Sequence, residues 1–166
     1  MVHIRMLTQS AAKDLIKTPK TKKNDDSYGF PRPGEKLTIP IISQDEQEDF
    51  LIDVSRGRIR LTKCTYQERH QQTIILLRLD LSDAPHHNPD TVNAPLPCLA
   101  PYNGQIIECP HLHIYVEGFM DKWAIPAPDG EFPDTTNLYT TLQDFFRYCN
   151  IVEPPKIHWE VPLNEF

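Results

Sequence analysis

Between residues 37 and 81 apolar side chains recur at every second position, and a chain written that way buries one face of a sheet. Leu37, Ile39 and Ile41 alternate, then Phe50, Ile52 and Val54; Arg56 and Gly57 interrupt as a turn, and Ile59 and Leu61 resume the period. The pattern predicts an antiparallel meander. Residues 73 to 81 (TIILLRLDL) are apolar on both faces at their start, which suits a central strand, and they put Arg78 and Asp80 on one face. Strand character returns over 111–117 and, after the Gly118 turn, over 122–125, as a hairpin.

Helical spacing is confined to the two ends. Leu7, Ala11, Leu15 and Ile16 predict a short helix over 7–17 capped by Thr8 or Ser10. Leu138, Leu142, Phe145, Phe146 and Cys149 form one apolar stripe, with Asp134 or Thr135 as cap and Asn150 as stop, before Pro154 and Pro155 prevent continuation. The tail over 157–161 predicts an edge strand. The expected fold is therefore one α+β domain over 1–166. Its twisted antiparallel sheet has about five to six strands, with an N-terminal helix and a C-terminal amphipathic helix packed on it.

Breakers divide these elements. Nine of the 16 prolines lie in 85–110 and 126–133, where a missing N–H and fixed φ oppose helix and central strand. Residues 82–110 read as a long Pro-rich loop, and a loop of that length in a small domain is a candidate for function. Residues 18–36, with Pro19, Gly29, Pro31, Pro33 and Gly34, read as a connecting loop anchored by Tyr28 and Phe30.

Composition narrows the function classes. At 39% hydrophobic and 24% charged the chain is globular in type. Its net charge of −6 opposes broad nonspecific affinity for nucleic acid. Residues 1–40 nevertheless carry eight Lys/Arg against four Asp/Glu, and Lys13, Lys17, Lys20, Lys22 and Lys23 read as a solvated helix end and linker. The four cysteines lack a CxxC pair and read as reduced thiols. No apolar run approaches the roughly 20 residues of a membrane span, and no secretory h-region is present, so the expectation is a cytoplasmic protein with no membrane partner.

The chemistry-bearing residues gather in three places. In CPHLHIYVEG, alternation puts Cys109, His111, His113, Tyr115 and Glu117 on one face and Leu112, Ile114 and Val116 on the other. The loop after the central strand carries His86, His87, Asn88 and Asp90. Arg56, Arg58 and Arg60 surround the Gly57 turn, joined by Lys63, Arg78 and Lys122 as groups suited to phosphate. Trp123 reads as core.

The pieces PHHNPD, ECPHLHIYVEGF, DKWAIP and DFFRYCNI resemble an uncharacterised bacterial domain family with the motifs PHxNPDG, PHLHIYxEG, DKWA and DFxxYCNI. The likeness extends upstream through FPRPGEKLTIPIIS and DVSRGRIRLTKCTYQ and implies one domain without implying an activity. The chain departs from that pattern in Thr91, where a glycine is usual, and in a longer Pro-rich insertion over 92–104. The association of such families with mobile elements implies toxin, defence or counter-defence roles.

The leading expectation is a small histidine-dependent phosphodiesterase, an endoribonuclease of toxin or defence type acting on RNA. His111, His113, His86 and His87 would supply acid and base, and Tyr115 would orient the phosphate. Arg56, Arg58, Arg78, Lys122 and Asn88 would bind the substrate. This reading requires no cofactor. A second expectation is a non-catalytic module whose acidic surface docks a cognate inhibitory or target protein. A third is a zinc-dependent hydrolase with Cys109, His111 and His113 as ligands, completed by His87 or Asp90.

Overall fold

Thr8 opens the first helix. In the computed structural model, which describes residues 6–159, its side-chain oxygen accepts from the Ala11 amide and helix α1 runs Gln9–Lys17. The chain continues through β1 (Lys20–Lys22), β2 (Ser27–Gly29), β3 (Lys36–Ser43), β4 (Asp49–Arg56), β5 (Cys64–His70) and β6 (Ile74–Asp80). The Pro-rich segment holds the short strands β7 (His86–His87) and β8 (Ile106–Ile107) and a 3-10 helix at Pro97–Tyr102. Then come β9 (His111–Val116), β10 (Met120–Pro126), α2 (Leu138–Tyr148), β11 (Ile151–Glu153) and β12 (Lys156–His158). Val161, the far end of the expected tail strand, lies outside the described residues.

The architecture is α+β with one helix near each end, as the sequence predicts, but the main sheet has eight strands instead of five to six, in the order β10-β9-β6-β5-β4-β3-β1-β11. Its pairs are antiparallel except β1 with β11. The extra strands β1 and β11 come from the segment read as a connecting loop and from the three residues between the helix stop at Asn150 and Pro154. Residues 18–36 are thus more than a loop: Lys20–Lys22 joins the sheet, and Ser27–Gly29 pairs in parallel with β12. Lys20, expected in solvent, is fully buried. Asn137, not Asp134 or Thr135, caps α2 by accepting from the Thr140 amide, and Asn150 stops it at φ 57°.

The third strand of the meander is not where Ile59 and Leu61 put it. The Gly57 amide donates to the Lys63 carbonyl, closing 57–63 as a loop. A Cβ at Gly57 would lie 2.8 Å from Lys63 Cβ, so the turn needs glycine. Ile59 and Leu61 are consequently exposed, and β5 supplies the strand instead.

Register gives the sheet two unlike faces. One carries Ile39, Ile41, Phe50, Ile52, Val54, Tyr66, Leu79 and Leu112; it forms one buried cluster with Ala12 of α1 and with Leu142, Phe145 and Phe146 of α2. The opposite face is polar across its middle. Asp53, Gln67, Arg78, His113 and Ala124 stand directly opposite one another on five strands, and Ser55, Thr65, Asp80, His111 and Pro126 form the neighbouring row. A period-two sequence folds into a half-buried sheet of this kind, and its second face is left for polar groups.

Candidate functional site

At one end of the two polar rows, β6 and β9 bring Asp80 opposite His111 and Arg78 opposite His113. Both imidazoles turn Nε2 toward one oxygen: Asp80 Oδ2 is 3.1 Å from His111 Nε2 and 3.3 Å from His113 Nε2. Each ring is fixed from behind. His111 Nδ1 donates to the Ile107 carbonyl at 3.1 Å and His113 Nδ1 to the Asp121 carbonyl at 2.8 Å. A ring whose Nδ1 carries the proton leaves the Nε2 lone pair facing inward when neutral.

The carboxylate is held as firmly. Thr65 Oγ1 donates to Asp80 Oδ1 at 2.9 Å, and Arg78 Nε approaches Oδ2 at 3.4 Å. Burial alone would raise the Asp80 carboxyl, but the contacts with His111 and His113, the Arg78 charge and the Thr65 hydroxyl hold it well below the usual carboxylate range. Arg78 also donates through Nη1 to Asp121 Oδ2 at 2.7 Å and through Nη2 to His113 Nε2 at 2.9 Å. Asp80, His111 and His113 are all buried, with ligand atoms within 4.8 Å of one another, the only such His/Cys/Asp/Glu group among the described residues.

The Pro-rich segment does approach the histidine strand. It runs along the outer edge of β10, and its alternate side chains take the strand's free backbone groups. His86 Nε2 donates to the Lys122 carbonyl at 2.7 Å; Asn88 accepts from the Ala124 amide at 2.8 Å and donates to the Ala124 carbonyl at 2.8 Å. Asn88 therefore works as an edge cap. The His86 ring centre lies 4.5 Å from that of His113 and 6.0 Å from that of His111. Burial lowers the His86 imidazole from its ordinary range, and the neighbouring His113, His111 and Arg78 add to that while the Lys122 carbonyl opposes it. In its neutral form, with Nε2 donating to the Lys122 carbonyl, the half-buried His86 offers Nδ1 as an acceptor.

The remaining expected residues stand elsewhere. His87 is exposed with Nε2 on the Gly104 carbonyl. Asp90 lies against Gly104, whose φ of 67° and lack of a Cβ let the carboxyl come close. Cys109 Sγ meets His111 at Nδ1, 3.6 Å away, on the side opposite the convergence point. The expected set of Cys109, His111, His113 and His87 or Asp90 is thus not assembled as one ligand cage. Tyr115 donates its hydroxyl to the Leu7 carbonyl at 2.8 Å and so holds the residue before the Thr8 cap of α1. Arg56 is engaged by the Pro31 and Leu61 carbonyls and by the rings of Phe30 and Trp159.

Arg58, Arg60 and Lys63 line an open cleft of about 940 Å³ whose wall includes Thr65, Asp83 and Pro85. Thr65 links the cleft to Asp80, and Pro85 precedes His86. Asp80, Asp121 and Thr65 were not singled out from sequence as site residues. The one sign was the shared face of Arg78 and Asp80, which becomes informative only when the register with β9 is known.

A mostly antiparallel α+β domain with a buried His/Asp cluster and a partly exposed arginine at one end of its sheet is the class that fold and site define. The chain belongs to a family of unknown function, DUF6978, whose model matches residues 7–151. No curated protein and no solved structure matches it. Among the described residues, no helix is long and apolar enough to cross a membrane.

Proposed function

We propose that the protein is a phosphodiesterase acting at the rim of the His86, His111, His113 and Asp80 cluster, with RNA as substrate and an endoribonuclease of toxin or defence type as its role. The observation that carries this reading is His86. Its Nε2 is held by the Lys122 carbonyl, its ring centre stands 4.5 Å from that of His113, and burial lowers its imidazole from the ordinary range. An imidazole in that state is a general base near neutral pH.

His86 Nδ1 would take the proton of a 2′-hydroxyl as its oxygen attacks phosphorus. The bond to the 5′-oxygen breaks, and that oxygen receives the proton back, leaving a 2′,3′-cyclic phosphate and a free 5′-hydroxyl. Arg78, partly exposed, and Lys122, exposed, would neutralise the developing charge. The cleft with Arg58, Arg60 and Lys63 would hold the flanking strand, giving local positive potential on a chain of net charge −6. His111, His113 and Asp80 are positioning groups in this scheme, since all three are buried.

Induced expression of wild type beside His86→Ala, followed by growth and by the integrity of total RNA, tests the proposal, together with cleavage of an RNA oligonucleotide by the purified proteins. Growth arrest with RNA cleavage, reduced about 100-fold or more in the variant, supports it. Intact RNA with wild type in both settings overturns it and favours the protein-docking class.

A further inference from the structure

We infer that Asp80, His111 and His113 form a three-ligand site for a divalent first-row transition metal of the zinc class, with an open position toward Arg78 and His86. What the metal would do in a reaction rests on the proposed hydrolytic reading; the ligand geometry stands apart from it.

The spacing is that of a coordination shell. A tetrahedral ion with ligands at 2.0–2.1 Å holds neighbouring donor atoms roughly 3.3 Å apart, and the two Nε2 atoms stand 3.1 and 3.3 Å from Asp80 Oδ2. The outer contacts have the pattern that metal-binding imidazoles use, with the distal ring nitrogen donating to a backbone carbonyl and so fixing both tautomer and ring plane. Thr65 does the same for the carboxylate through Oδ1, leaving Oδ2 to point inward. All three ligands come from β6 and β9, paired neighbours in the interior of the sheet, so little has to move for them to converge.

Two imidazoles and one carboxylate suit zinc, cobalt or iron(II) and not magnesium, which prefers oxygen ligands. Three protein ligands leave a place for water, the arrangement of catalytic rather than structural centres. Arg78 is the competitor: its Nη2 donates to the His113 lone pair that the metal needs. Metal entry would shift the guanidinium onto Asp121, which it already meets at 2.7 Å.

Chelator-treated, dialysed protein is titrated with zinc, cobalt and magnesium chlorides by calorimetry, and cobalt binding is also followed by its visible d–d bands. One equivalent of zinc or cobalt per chain is expected, with no magnesium signal. Asp80→Ala, His111→Ala and His113→Ala should weaken zinc binding at least about 100-fold. Arg78→Ala should bind zinc more tightly than wild type, which keeps the inference testable should a ligand variant fail to fold. Zinc binding by wild type no tighter than by a folded Asp80→Ala, or weaker binding by a folded Arg78→Ala, overturns the site. Zinc bound as expected with no RNA cleavage by the loaded protein removes the hydrolytic reading and leaves the metal centre. Cleavage that depends on His86 but proceeds fully in chelated protein that binds no metal does the reverse.

Discussion

Glu68 lies on the apolar face of β5 with no exposed surface, 3.6 Å from Lys20 Nζ, and neither of its oxygens accepts a hydrogen bond. Burial pushes its carboxyl from 4.5 up to about 7, against the pull of the Lys20 charge. A folded-state pKa above the unfolded one means that the folded chain holds the proton more tightly. The stabilisation is therefore complete below about pH 4.5 and is lost as pH rises through about 7. The expected loss is of order 2–3 kcal/mol. Melting temperatures of wild type and Glu68→Gln between pH 5 and 8 should converge or diverge accordingly: the wild type falls relative to the variant as pH rises. Parallel curves would show that Glu68 is ionised throughout. This residue also explains a miss. The inward positions of β5 read Cys64, Tyr66, Glu68, His70, a series without an aliphatic residue that ends in two ionisable ones, so Ile59 and Leu61 drew the strand assignment instead.

The long Pro-rich segment behaves as an element in its own right because it is fastened to the open edge of β10. Asn88 makes three hydrogen bonds there, to the Ala124 amide and carbonyl and to the Tyr102 carbonyl, and Leu99 packs with Trp123 and Val116. Asn88→Ala strips partners from buried backbone groups and should cost about 3 kcal/mol. The segment between 89 and 105 should also become sensitive to limited proteolysis. A stability loss without new cleavage would place the anchor in the Leu99 contact instead. Prolines made the segment's irregularity legible, and HxH alternation correctly put His111 and His113 on one face. Which of His86 and His87 would turn toward them could not be read, because an isolated two-residue strand has no period to set its parity. Nor could Asp80 be read as their common partner, since pairing between β6 and β9 spans 31 residues from Asp80 to His111.

At the scale of the molecule, β1 and β2 from the first part of the described residues and β11 and β12 from the last part close the sheet together. β11 lies parallel to β1, β12 lies parallel to β2, and the Asn150 side chain donates to the Lys17 carbonyl. At the centre of this closure the Lys20 ammonium donates to the Ile16 carbonyl of α1 at 3.0 Å and to the Cys149 carbonyl ending α2 at 2.7 Å, with the Phe50 ring 4.7 Å away. One buried cation thus serves the negative ends of both helices. Lys20→Met removes it and leaves Glu68 without its ion pair, so the single variant should lose about 4 kcal/mol. In Lys20→Met/Glu68→Leu the orphaned carboxyl is also gone, and the loss should shrink to about 2 kcal/mol, the remainder reflecting the two helix-end carbonyls. Denaturant midpoints at pH 7 for the wild type, the two single variants and the double variant measure the coupling directly. If the double variant is as unstable as Lys20→Met, Glu68 contributes nothing to the closure. The ammonium then acts through the helix ends alone, holding the first and last parts of the chain against one sheet.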